Sequence, residues 1–255
     1  MKNRIEFSSR RVTLFLTLLL AVLTVLNIGV IIAEYLFGFY NDNIISMFYS
    51  DEKVNFPYAF KIFTLLCSAV ILLGIAMLKK TNQDRFALHW KILSWVFFYL
   101  AIDEATYLHQ RTSHFLRERL TLGGAFTLSW VVLYAPLVVL FIIFFFKFFF
   151  HLPSRTRFYF FLAGLCYGGG AYGLEFVKSY ALTKMDQESL NYSMICIISD
   201  TGEMLGLVLF VSVLLYYFST IAGKVTLSVL SGRTVEATAP GAFIPQPVES
   251  EKHLV

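Results

Sequence analysis

The chain has 255 residues, of which 57% are hydrophobic and only 15% charged, and its mean hydropathy is +0.67. Soluble domains carry roughly 25% charged residues, so this composition excludes a soluble globular protein and, equally, a disordered chain. With 21 basic against 17 acidic side chains and no basic patch interleaved with aromatics, it also excludes nucleic acid as a partner.

The length divides naturally by the roughly 20 residues that a bilayer-crossing helix needs. Apolar runs stand at about 12–36, 59–78, 90–108, 126–150, 158–177 and 194–218, with most charges in the short segments between them. They predict an all-α, polytopic membrane protein of six transmembrane helices. The first run follows Lys2, Arg4, Arg10 and Arg11 but is longer than the roughly 7 to 15 apolar residues of a cleaved signal peptide, so it reads as a retained anchor. The segment 38–57 is acidic and aromatic, with Tyr40, Asp42, Phe48, Tyr49, Asp51 and Glu52, and is expected to lie at the membrane interface. Residues 1–230 form the transmembrane domain. From about 231 the periodicity disappears and Pro240, Pro245 and Pro247 gather, which predicts a disordered cytoplasmic tail over 231–255.

Basic residues are retained on the cytoplasmic side during insertion. Lys2, Arg4, Arg10, Arg11, Lys79, Lys80, Arg85, Lys147, Arg155, Arg157, Lys224, Arg233 and Lys252 fall on one side, and Lys53, Arg111, Arg117, Arg119, Lys178 and Lys184 on the other. That imbalance puts both termini in the cytoplasm. Lys61, like Glu34, is expected to snorkel to the interface.

Cys67, Cys166 and Cys196 match no zinc or redox spacing and are expected to be packing residues. Gly164, Gly168, Gly169, Gly170 and Gly173, together with Gly202 and Gly206, supply small-xxx-small spacings on the fifth and sixth spans, which predict a close helix crossing. Pro136 predicts a kink in the fourth.

Asp103, Glu104 and His109 on the third span, Glu175 on the fifth, and Asp200 and Glu203 on the sixth require an explanation. Each ionised carboxylate at a helix centre costs roughly 2.5–3.5 kcal/mol on insertion scales. At 1.5 Å per residue, all five acids fall in the outer half of the bilayer under the predicted topology, which favours one shared polar site. Asp200 and Glu203 are three apart and share a face. Asp103 and Glu104 diverge by about 100°, and His109 lies about 140° around an unbroken helix from Glu104, so it ligates with Glu104 only if that helix breaks.

The strings YLAIDEATYLH, YGLEFV and SDTGEMLGLVLF carry a resemblance to a group of uncharacterised bacterial multi-pass membrane proteins. Those proteins have an Asp-Glu then His segment, a Gly-rich helix with a Glu, and an acidic pair before Met-Leu-Gly. The similarity spans residues 84–210. It implies a bacterial inner-membrane location and no particular activity. The His-x-x-x-His helix of ceramidase-like membrane hydrolases is absent.

Three function classes fit these residues. The leading expectation is a metal-binding protein or metal-dependent enzyme acting on a lipid-soluble substrate, with Glu104, Glu175, Asp200 and Glu203 as ligands and Asp103, His109 and Tyr107 in supporting positions or at the mouth. Oxygen ligands suit one or two divalent ions, Mn, Fe, Ca or Mg ahead of structural Zn. The second class is a non-catalytic subunit, sensor or assembly factor, with the bilayer around it and a membrane-protein partner at the outer loop or C-terminal tail. The third is a proton- or cation-coupled transporter. Catalytic residues are not identifiable from the pattern.

Overall fold

The computed structural model describes residues 9–39, 41–48, 55–109, 111–112, 130–186 and 189–222. Every regular element among them is helical: α1 (Ser9–Phe37), α2 (Asp42–Phe48), α3 (Phe56–Thr81), α4 (Ala87–Thr106), α5 (Trp130–His151), α6 (Ser154–Gly168), a π-helical segment (Gly169–Leu174), α7 (Glu175–Ala181) and α8 (Leu190–Ala222). The expected disordered tail, and Tyr40, Tyr49, Asp51 and Glu52 of the outer loop, lie outside the described residues.

Five stretches are long and apolar enough to cross a membrane: Ser9–Phe37, Phe56–Thr81, Tyr134–His151, Ser154–Ala181 and Leu190–Ala222. α4 is not among them, because its 20 residues include Lys91, Asp103 and Glu104. Beyond Lys91, which is exposed near its start, its outward side is nonetheless apolar, with Trp95, Phe98 and Ile102 exposed while Asp103 and Glu104 are buried.

Local chemistry defines the ends of the helices that matter for the site. α3 starts where the Asn55 side chain accepts a hydrogen bond from the Tyr58 N–H at 2.8 Å, with Pro57 in the first turn, where its missing donor is harmless. α4 ends because Tyr107 takes the left-handed conformation, φ 53° and ψ 36°, and its N–H turns back to the Glu104 carbonyl.

α8 is the axis of the bundle and packs against α1, α3, α6, α7 and the π segment. Met204, Val208 and Val211 meet Leu16, Leu20 and Leu23 of α1 and Phe60 of α3. Farther along, Val213, Leu214 and Tyr217 join Leu72 and Ile75 of α3 and Trp90 of α4. α3 and α4 lie side by side, tied by the Ser94 hydroxyl donating to the Ala69 carbonyl at 2.8 Å. α5 enters the core through Phe145 and Phe148 near its C-terminal end, with Phe149 packed against them. Its Leu137, Leu140 and Ile143 are 58–66% exposed, as expected of side chains that face lipid.

The approach of α8 to α6 and the π segment depends on two of the glycines, Gly206 and Gly170. A Cβ on Gly206 would collide with the Tyr167 backbone and side chain and stand 2.8 Å from the Ala163 carbonyl; one on Gly170 would lie 2.6 Å from the Ser199 carbonyl. Gly202 faces Gly170 across the same contact. Gly164, Gly168, Gly169 and Gly173 have open space where a Cβ would stand, so the expected small-residue packing is confined to Gly170, Gly202 and Gly206. Gly206→Ala is therefore expected to destabilise the protein by about 1–3 kcal/mol through overpacking against backbone, with Gly164→Ala at or above wild-type stability. Thermal unfolding of the two variants in detergent tests this contrast, and equal midpoints would contradict it.

Candidate functional site

Lys61 stands five residues into α3, about 7.5 Å along its axis, and is only 4% exposed. Its Nζ lies 2.6 Å from Glu104 Oε1 of α4, 3.3 Å from Asp200 Oδ1 and 3.3 Å from Glu203 Oε2 of α8. The last two are directed hydrogen bonds, whereas the Glu104 approach is an ion pair without hydrogen-bond alignment. The Tyr58 ring lies 4.5 Å from the same nitrogen and supplies a cation–π contact. Tyr107 packs against Tyr58, with ring centroids 4.8 Å apart, so the αL residue that ends α4 also closes one side of the cluster.

This arrangement corrects one expectation: Lys61 does not snorkel to the interface. A lone ammonium so close to a helix end gains by reaching water, but three carboxylates within 3.3 Å replace the water it would seek. Of the four expected ligands Glu104, Glu175, Asp200 and Glu203, the structure brings three to one point. These three surround Lys61, while Glu175 pairs with Lys178 one turn later at 3.1 Å. Among the described residues, no group of three or more His, Cys, Asp or Glu is arranged to hold a metal. The positive charge at the centre of the carboxylates is a side chain of the chain itself.

Lys178 was assigned to an outer loop by charge counting, yet it lies in α7 and is 8% exposed. Besides Glu175 it interacts electrostatically with Asp200, which links the second ion pair to the Lys61 cluster. The π segment just before α7 contributes to this geometry. The Gly170 carbonyl accepts a hydrogen bond from the buried Ser199 hydroxyl at 3.0 Å, one residue before Asp200.

His109 is not on a continuation of α4. The turn at Tyr107 folds the chain back, so that the His109 N–H donates to Asp103 Oδ1 at 3.1 Å and Nδ1 lies 2.8 Å from Oδ2. Adjacent residues thus serve opposite partners: Glu104 faces Lys61 and Asp103 clasps His109. Burial disfavours the charged imidazole, but the bond to Asp103 and the nearby Glu104 charge outweigh that, and the His109 pKa is raised above its ordinary value.

The sequence pattern located the acids but not the bases that answer them. A lysine and a carboxylate group at the same depth was the available signal for Lys61. For Lys178 the signal was its place three residues after Glu175, the spacing of an intrahelical ion pair. Of the supporting residues, Asp103 and His109 form their own pair and Tyr107 packs at the edge of the Lys61 cluster.

A model of a domain of unknown function, DUF8692, matches residues 12–218, from α1 to the last turns of α8. The chain belongs to the DUF8692 family. No curated protein and no solved structure matches it. All of the residues of the Lys61 cluster, both outlying ion pairs and the glycine crossing fall within the DUF8692 domain, which excludes only the extreme N-terminus and the residues after 218.

Two outcomes follow from these contacts. Lys61→Met leaves three buried carboxylates without their cation and is expected to cost about 3–5 kcal/mol, with recovery when Glu104→Gln, Asp200→Asn and Glu203→Gln are added; detergent unfolding checks it, and a single variant as stable as wild type would refute it. The raised His109 pKa means that its ion pair contributes full stability below the unfolded value of about 6.5 and loses it as pH rises through the folded value. The stability advantage of wild type over His109→Asn is accordingly expected at pH 5.5 to 6.5 and should decline at higher pH, as read from melting midpoints across a pH series.

Proposed function

We propose that this DUF8692 protein is a proton- or cation-coupled membrane carrier, and that the Lys61, Glu104, Asp200 and Glu203 cluster is its coupling site. The observation that carries this reading is the charge ratio around Lys61: three carboxylates, with side chains no more than 12% exposed, share one ammonium. One of the three negative charges is neutralised by Lys61. The remainder is costly in a low-dielectric interior and is offset by bound protons or by an entering cation. A site that must take up positive charge to be stable, and that is assembled from α3, α4 and α8, gives those helices different preferred contacts when it is loaded and unloaded.

α4 serves as the sixth span in this reading, because its two acids point inward and its exterior is apolar. The Lys and Arg bias supports cytoplasmic termini, and removing Lys178 from the outer loops strengthens that bias. A cell-membrane location, the bacterial inner membrane on the resemblance described above, completes the proposal.

A second reading is favoured by a different aspect of the same contacts. The cluster ties α3, α4 and α8 together, and Lys178 ties α7 to it, as a charge lock in a non-catalytic subunit would do. A metal-binding or metal-dependent reading would require an ion to displace Lys61 from three carboxylates.

The three are separated with the full chain in liposomes that enclose a pH-sensitive dye. The carrier reading expects proton movement under an imposed Na or K gradient, and its loss in a folded Glu203→Gln variant. No flux in any gradient from folded protein would refute it and favour the lock. Stoichiometric metal in the purified protein, lost with Glu203→Gln, would restore the metal reading.

A further inference from the structure

The helix ends opposite the Lys61 cluster carry a second charged constellation, which the proposed coupling site does not use. α3 passes to α4 through residues 82–86 and α5 to α6 through 152–153, so four helix ends meet at one face with little loop between them. Arg85 Nη2 lies 3.2 Å from His151 Nδ1, and its guanidinium stacks 4.7 Å from the Phe86 ring. Arg157 Nη1 donates to the Phe150 carbonyl at 3.3 Å, and its guanidinium lies 5.5 Å from the Phe150 ring. Two guanidinium groups are thereby anchored on consecutive residues, 150 and 151, with exposed Lys147 one turn earlier on α5.

Negative charge at this face is scarce and already engaged. Asp84 is the one carboxylate among the described residues of the two connections and their flanking turns. Its Oδ2 pairs with Lys79 at 2.9 Å and its Oδ1 accepts the Phe86 N–H at 2.8 Å. Arg85 and Arg157 instead contact an imidazole, a carbonyl and aromatic rings, which leaves their charge unneutralised by any described acid. Directly below, on the lipid side of α5, Phe146 and Phe150 are 58% and 55% exposed and touch each other at 4.8 Å between ring centroids.

We propose that Arg85, Arg157 and His151 form a headgroup site for an anionic phospholipid, with the phosphate held by the two guanidinium groups and an acyl chain along Phe146 and Phe150. The forked donors of arginine match a phosphate. The short connections keep these groups at headgroup depth, and the exposed phenylalanines give a lipid a contact that free phosphate lacks. This site is independent of the coupling role assigned to Lys61.

Native mass spectrometry of the full chain in neutral detergent, with phosphatidylglycerol and phosphatidylcholine supplied together, tests it. Wild type is expected to retain phosphatidylglycerol in preference, and Arg85→Gln with Arg157→Gln to reduce that retention about tenfold, whereas Lys80→Gln with Lys91→Gln, which removes equal charge from exposed positions nearby, keeps it. Should the arginine pair variant fail to fold, Arg157→Gln alone is read the same way. Equal retention of the two lipids, equal loss in both double variants, or displacement of phosphatidylglycerol by millimolar inorganic phosphate would each overturn the proposal.

Discussion

Removing a carboxylate from water is costly unless something positive goes with it, and the DUF8692 chain buries three around one lysine. Much of the tertiary arrangement follows from that requirement. Lys61 neutralises one carboxylate fully and is shared by three, so Glu104, Asp200 and Glu203 must approach the same nitrogen from two different helices. α3, α4 and α8 cannot separate without exposing an ion to hydrocarbon. The apolar clusters on either side of this point add contact area, but they are not selective about register. The ion cluster is, because a shift of one residue along α8 would turn Asp200 and Glu203 away from Lys61.

Two backbone devices make the approach possible. The αL conformation at Tyr107 ends α4 immediately after its acidic pair, so that Asp103 can bind the returning His109 while Glu104 keeps its place on Lys61. On the other side, Gly170 and Gly206 bring the π segment and α6 close enough to α8 for the Ser199 hydroxyl to reach the Gly170 carbonyl. A methyl group at Gly170 would meet the backbone just before Asp200. Close packing and charge placement are therefore coupled at this crossing. The opposite face of the bundle has the reverse electrostatics, with arginines in excess of acids and held by aromatic and carbonyl contacts.

How much of this was legible depended on whether the signal was local. Apolar runs long enough to span a bilayer are local, and the described part of each expected span is almost wholly helical, although the third runs past the end of α4 at Thr106 and the fifth passes through α6, the π segment and α7. The acids inside those runs were equally visible, since an ionisable residue among apolar neighbours needs no structure to be noticed. Pairing was not local. Lys61 and Asp200 are 139 positions apart, and their contact depends on how α3 packs against α8. Counting loops assigned Lys178 to solvent because its run of apolar residues ends there, yet the helix continues and buries it. His109 was judged by the angle of an unbroken helix, and a left-handed tyrosine, which carries no strong sequence signal, redirected it.

The sequence by itself determined that this protein is helical and apolar enough for a membrane, and that a small set of carboxylates lies within its spans. Those conclusions rest on hydropathy and helical rise, which depend only on neighbouring residues. Tertiary structure alone decided which side chains answer the carboxylates: a lysine from α3 for Glu104, Asp200 and Glu203, a second lysine for Glu175, and a histidine for Asp103. Electrostatic pairing acts through space, over a few ångströms, between groups that the chain places far apart.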